Sequence, residues 1–235
     1  MHEAATPSRA AAADPGPLQR TSSQKLLDFL TFPLRALTLF HASALGLSSL
    51  ADERFDFVAS ETRGHTLDIG CGRHNRFVVQ VLRGRGRGID LFAYDGLTAE
   101  NLVPDLTRLP FPDACFDTVT FIANLNHCPE PDRDKELSEA FRVLRPGGRI
   151  IITMGHPFAE VAVHKLVWLY DRLLGTSVDL DTERGMAPDE AYYLTDREIL
   201  SRLDRAGFRS VRKRYFWTQW FLNHMFIALK PGAAR

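Results

Sequence analysis

The chain has 235 residues and is 45% hydrophobic and 25% charged, the composition of an ordinary globular protein long enough to bury a core. Its 29 Lys and Arg balance 29 Asp and Glu, which argues against a protein held to nucleic acid by bulk charge. Cys71, Cys115 and Cys128 lie far apart with no CxxC pair, so neither a disulfide framework nor a metal site is read, and a reducing cytoplasm is expected.

Residues 1–24, rich in Ala, Pro and Ser, are expected to be a disordered tail without a secretory signal. In residues 25–61 the apolar spacing is helical: Leu26, Leu27, Leu30, Leu34 and Leu37, later Phe55 and Val58. Pro33 and Gly46 are expected to divide this stretch into short helices. Asp28, Pro33, Arg35 and His41 interrupt the run 26–50, which excludes a spanning helix. Its scarcity of Lys and Arg also disfavours a membrane-surface helix.

The period then changes. Residues 66–69 read as a buried strand running into Gly70-Cys71-Gly72, and 75–82 as a helix. Residues 87–91 and 116–122 read as strands, 132–144 as a helix, and 149–154 as a strand after the turn Pro146-Gly147-Gly148. Strands alternating with helices predict a parallel sheet with helices on both faces. Residues 161–174 read as a helix and 177–190 as an acidic loop. Thr195 with Glu198 is a capping-box signature for a helix stopping at Gly207. Residues 208–217 and 221–229 resemble two final strands. The cluster Arg209, Arg212, Lys213 and Arg214 is read as a solvated strand face.

The glycines at the end of the first strand let the chain turn tightly and a ligand approach its backbone. A full dinucleotide fingerprint wants glycine at position 75, where Asn75 stands. Asp68 would repel a pyrophosphate but suits a cation, which points to S-adenosylmethionine. Asp90, ending the second strand, can accept both hydroxyls of a ribose. Asp105 can accept the exocyclic amine of an adenine, with the next backbone amide meeting a ring nitrogen.

Five motifs in order carry a resemblance: Leu67-Asp68-Ile69-Gly70-Cys71-Gly72, Gly88-Ile89-Asp90-Leu91, Asp105 with Leu109-Pro110-Phe111-Pro112-Asp113, Phe116-Asp117-Thr118-Val119, and Arg142-Val143-Leu144-Arg145-Pro146-Gly147-Gly148. Residues 64–155 resemble the class I S-adenosylmethionine-dependent methyltransferases, nearest the "type 11" group that includes ubiquinone and menaquinone methyltransferases. Two departures stand out. His74 replaces a customary third glycine, and the short stretch between Asp90 and Asp105 shows no helical period.

The resemblance implies an α/β Rossmann-like fold with a seven-stranded, mostly parallel sheet. Residues 25–61 would form an N-terminal helical lid and 62–235 the methyltransferase domain, with a late helical insertion at 156–200. It implies cofactor contacts from Asp68, Gly70, Cys71, Gly72, Asp90, Leu91, Asp105, Leu106, Ala123 and Asn124. His127, which ends Asn124-Leu125-Asn126-His127, is the first candidate base and could equally cap the next helix or order its loop; His156, after the strand 149–154, is the second candidate. Phe158, Trp168, Tyr170, Tyr192 and Tyr193 favour an apolar or aromatic small-molecule acceptor. Alternatives are a non-catalytic cofactor-binding partner protein, and a nucleic-acid methyltransferase using 202–214.

Overall fold

A computed structural model of the chain describes residues 20–37, 43, 46–155 and 193–232. Six strands form one sheet: β1 (Thr66–Ile69), β2 (Gly86–Ile89), β3 (Phe116–Ile122), β4 (Leu144–Gly155), β5 (Arg209–Tyr215) and β6 (Asn223–Leu229). Their order is β2-β1-β3-β4-β6-β5. The first four in that row are parallel, and β6 runs antiparallel to β4 and β5. The described helices are α1 (Ser22–Leu37), α2 (Leu50–Ala59), α3 (Glu130–Val143) and α4 (Asp196–Arg205).

Alternation along the central strands divides the core between two faces. Ile150 and Ile152 of β4 join Phe226 and Ala228 of β6 against Leu137 of α3 and Ile199 of α4. Ile151, Met225 and Ile227 point the other way and pack with Phe57 of α2 and Phe77. Helices therefore cover both faces, as the alternating pattern predicts.

Several expectations are corrected. The sheet has six strands among the described residues, not seven. Beyond β2 the chain runs as coil from 91 to 115, and only a single parallel bridge joins Asp90 to Leu102. That coil contains Gly96 and Pro104 and lacks the apolar alternation a strand needs. It is fastened instead by the Asn101 side chain, which donates to the Gly88 carbonyl at 2.8 Å. The helix missing from this stretch was legible in the sequence.

Pro33 does not divide α1, which continues through it. Proline removes the N–H that would reach the carbonyl four residues back. Here the indole of Trp220 donates to that carbonyl, on Phe29, at 2.9 Å. The helix also begins at Ser22, inside the stretch expected to be a disordered tail. Residues 75–82 form no regular helix but a 3-10 turn over Arg73–Asn75 and a wider turn over Phe77–Val81, closed by Leu82 N–H to Phe77 at 2.9 Å.

Thr195 caps α4 by accepting from the Glu198 amide at 3.2 Å, while the Glu198 carboxylate turns to Arg202. The basic cluster is neutralised in place: Arg209 meets Asp204, Arg212 and Arg214 meet Glu61, and Lys213 meets Asp196. The helix expected at 161–174, most of the late insertion and most of the tail lie outside the described residues.

Candidate active site

β1 is buried along its whole length and ends where Gly70 (φ 72°) and Gly72 (φ 62°, ψ −168°) turn the chain. The amides of Gly70 and Cys71 both donate to the Ile89 carbonyl, at 2.9 and 3.0 Å, which ties the loop to the end of β2. A Cβ on Gly70 would overlap the Asn124 carboxamide, whereas a Cβ on Gly72 would meet nothing within 4 Å. The loop is therefore packed on its β3 side and open in front of Gly72.

Two buried carboxylates flank that opening. Asp90 accepts from the Gly72 amide at 2.9 Å on one oxygen and from the Phe92 amide at 3.1 Å on the other. Asp68 sits opposite Thr120 in the β1–β3 register and accepts from its hydroxyl at 2.6 Å. Burial pushes the Asp68 carboxyl up to about 7; the Thr120 bond offsets part of this, and the charge of Asp90 adds to it. Among the described residues neither Asp68 nor Asp90 makes an ion pair. Cys71 lies between them, and burial together with both carboxylates pushes its thiol up to about 12. It stays protonated at neutral pH and is no nucleophile.

The glycine expected after the loop is replaced at some conformational cost. His74 has φ 61° and Asn75 has φ 46°, the left-handed region. The His74 amide donates to the Asp95 carbonyl at 2.7 Å, and its imidazole lies against Gly96. The coil after β2 thus folds back onto the far end of the glycine loop. The Asn75 side chain packs against Gly88.

The turn after β3 completes the edge. Ala123 (φ 51°) donates its amide to the Thr153 hydroxyl at 2.8 Å. The Asn124 carbonyl accepts from the His127 amide at 2.8 Å, and His127 is half-buried. The next residue, Cys128, donates to buried Glu136 at 3.0 Å, and burial pushes that carboxyl up to about 7.

The structure thus brings together Asp68, Gly70, Cys71, Gly72, Asp90 and Asn124, with Ala123 and His127 on the adjoining turn. Asp105 lies on the exposed coil, where one carboxylate oxygen accepts from the Thr107 amide at 2.8 Å and hydroxyl at 2.7 Å. Those bonds hold its carboxyl below the usual range. The Leu106 side chain is in the core and Leu91 is exposed. His156 lies outside the described residues. Sequence reading missed Thr120, Thr153 and Glu136. Thr120 was findable, because the pairing register places it beside Asp68.

A family model described as "Methyltransferase domain" matches residues 67–152, from β1 into β4. This segment is similar to methyltransferase domains. All the clustered residues named above fall inside it. Across 113 residues the chain is 32% identical to the mitochondrial 2-methoxy-6-polyprenyl-1,4-benzoquinol methylase of Drosophila melanogaster, covering 48% of this chain and 33% of that protein. Across 142 residues it is 31% identical to the ubiquinone/menaquinone biosynthesis C-methyltransferase UbiE of Brucella anthropi, covering 57% of this chain and 51% of that protein. The chain therefore spans a third to a half of the length of these relatives. A SAM-dependent methyltransferase from Thermotoga maritima shares the fold, with TM-score 0.57 and 15% identity over 88% of this chain and 98% of that one.

Proposed function

We propose that the chain transfers the methyl group of S-adenosylmethionine to a small apolar or aromatic acceptor. One observation carries this proposal: two buried carboxylates, Asp68 and Asp90, flank an open glycine loop, and among the described residues neither makes an ion pair. Buried negative charge is costly without a partner, and a cationic cofactor supplies one. A pyrophosphate would bring like charge to the same place. Asn75, packed on Gly88, also occupies the position where a dinucleotide fingerprint has its third glycine.

Asp68, Gly70, Cys71 and Gly72 would hold the methionine end. Asp90, with Leu91 beside it, would take the ribose. The amides of Gly72 and Phe92 orient its two oxygens and leave each a lone pair for a hydroxyl. Asp105 and the Leu106 backbone would serve the adenine, with Ala123 and Asn124 closing the side toward β3. S-Adenosylmethionine supplies a methyl group on a sulfonium leaving group. The protein's share is alignment and exclusion of water. His127 would receive a proton from an acceptor hydroxyl or amine on its imidazole, with His156 as the second candidate.

The names of the curated relatives support a quinol-like or phenolic acceptor. The stretch 156–200 would build the acceptor pocket and α1 with α2 a lid. A cytoplasmic location belongs to the same proposal and rests on three free cysteines. The test is transfer of a radiolabelled methyl group from S-adenosylmethionine to a panel of quinols and phenols, with S-adenosylhomocysteine quantified. Stoichiometric product and S-adenosylhomocysteine are expected. Tight cofactor binding with no transfer to any acceptor of this class would overturn the catalytic assignment.

A further inference from the structure

Helix α1 is inside out. Its inward face carries Asp28 and Arg35, both essentially fully buried. Arg35 donates to Glu53 at 2.7 Å, to the Ser48 carbonyl at 3.0 Å and to the Asp28 carbonyl at 2.6 Å. Asp28 accepts from Arg20, and from Ser48 and Gln24, each at 3.1 Å. These buried pairs fix the rotation of the helix, because turning it would strip both charges of their partners. Its outward face is left to leucines. Leu26 and Leu30 expose 56% and 66% of their surface, and Leu27 and Leu34 expose 39% and 53%.

A second observation extends the patch. Trp220 and Phe221 are consecutive aromatic residues in the left-handed region, at φ 52° and 63°. Trp220 packs on Phe29 and Phe32 of α1, yet 46% of Trp220 and 55% of Phe221 remain exposed. Such backbone conformations persist where the surrounding structure over-determines them, and the Trp220 indole bond to the Phe29 carbonyl helps to do so here.

We propose that this face is an isologous dimer interface with a second copy of the chain. Two features select that occupant. The first is area. With about 180 Å2 for an open leucine and about 150–250 Å2 for an open aromatic side chain, the six residues expose roughly 600 Å2. Trp217 and Tyr215 at the rim bring the patch to about 800 Å2, the share each partner contributes to a standard interface. A typical monomer's largest apolar patch is smaller, at about 300–600 Å2. The second is charge. Asp28 and Arg35 are buried and Lys25 is drawn to Asp56, so the leucine face offers no cation to an anionic membrane, whose peripheral helices are rich in Lys and Arg. An uncharged face suits its own copy. Leu26, Leu30 and Leu34 are spaced by four and form a ridge that packs against its symmetry mate at about −50°. Leu30 lies near the two-fold axis and meets its own copy.

The test is sedimentation equilibrium on the full chain over a concentration series, with far-UV circular dichroism as the check on folding. The wild type is expected to reach twice the 26.5 kDa chain mass and to dissociate on dilution. Leu30→Glu, and independently Leu26→Glu, should raise the dimer dissociation constant at least about tenfold with an unchanged spectrum. A wild type that stays at the single-chain mass up to roughly 100 µM overturns the proposal. So does a single-chain wild type that floats with phosphatidylcholine vesicles while Leu30→Glu does not, which would make the face a lipid surface.

Discussion

Asp68→Asn removes a buried charge while keeping an oxygen to accept from Thr120. Its effect on stability has a definite sign. In the folded state the Asp68 carboxyl titrates at about 7, against 3.8 for the unperturbed group. Between those values the unfolded chain has lost its proton and the folded chain keeps it, so stability falls as pH rises. The fall is about 1.4 kcal/mol per pH unit, and it levels off above about 7. Over the whole window Asp68 lowers stability by roughly 4 kcal/mol. Asparagine has no such titration. Urea unfolding of both proteins from pH 4 to pH 8.5 should therefore show the variant gaining on the wild type up to pH 7, then a constant difference. S-Adenosylmethionine binding should move oppositely. Wild-type affinity rises with pH as Asp68 ionises, while the variant binds about 10–100-fold more weakly with no such rise. Parallel stability profiles for the two proteins, or undiminished cofactor affinity in the variant, would refute the reasoning.

Gly72→Ala places a side chain where φ is 62° and ψ is −168°, a region populated essentially by glycine alone. Chemical denaturation should show a loss of about 1–3 kcal/mol, and an unchanged midpoint would mean that the loop relaxes without strain. His127→Ala should lower turnover by about 10²–10⁴ with cofactor affinity unchanged, measured by steady-state kinetics beside calorimetry. An unaltered rate would leave His127 as an element of the turn after β3.

The glycine loop and the two acids beside it were legible because short motifs at strand ends have one local geometry. Asp68 and Asp90 had to face the same edge once β1 and β2 were placed as parallel neighbours. The reversal of α1 was not legible. Its leucines have the spacing of a buried stripe, and only the partners supplied by Ser48, Glu53 and the Thr218 carbonyl, which accepts from Arg35 at 3.3 Å, show that Asp28 and Arg35 occupy the inside. Pro33 misled for a related reason. The donor that replaces its missing N–H comes from Trp220, far away in sequence. The absent strand was half visible, since the lack of a helix between Asp90 and Asp105 was read while the loss of strand pairing was not. Asp105 stands where the motif puts it, but the two bonds of one carboxylate oxygen to Thr107 were not legible from the motif.

Titration calorimetry of the full chain with S-adenosylmethionine at pH 8, set beside NAD under the same conditions, tests the central claim most directly. Saturable one-to-one binding of S-adenosylmethionine, lost in Asp90→Ala, and no heat from NAD are predicted. Binding of NAD, or no binding of S-adenosylmethionine, would contradict a site built from two buried carboxylates for a cationic cofactor.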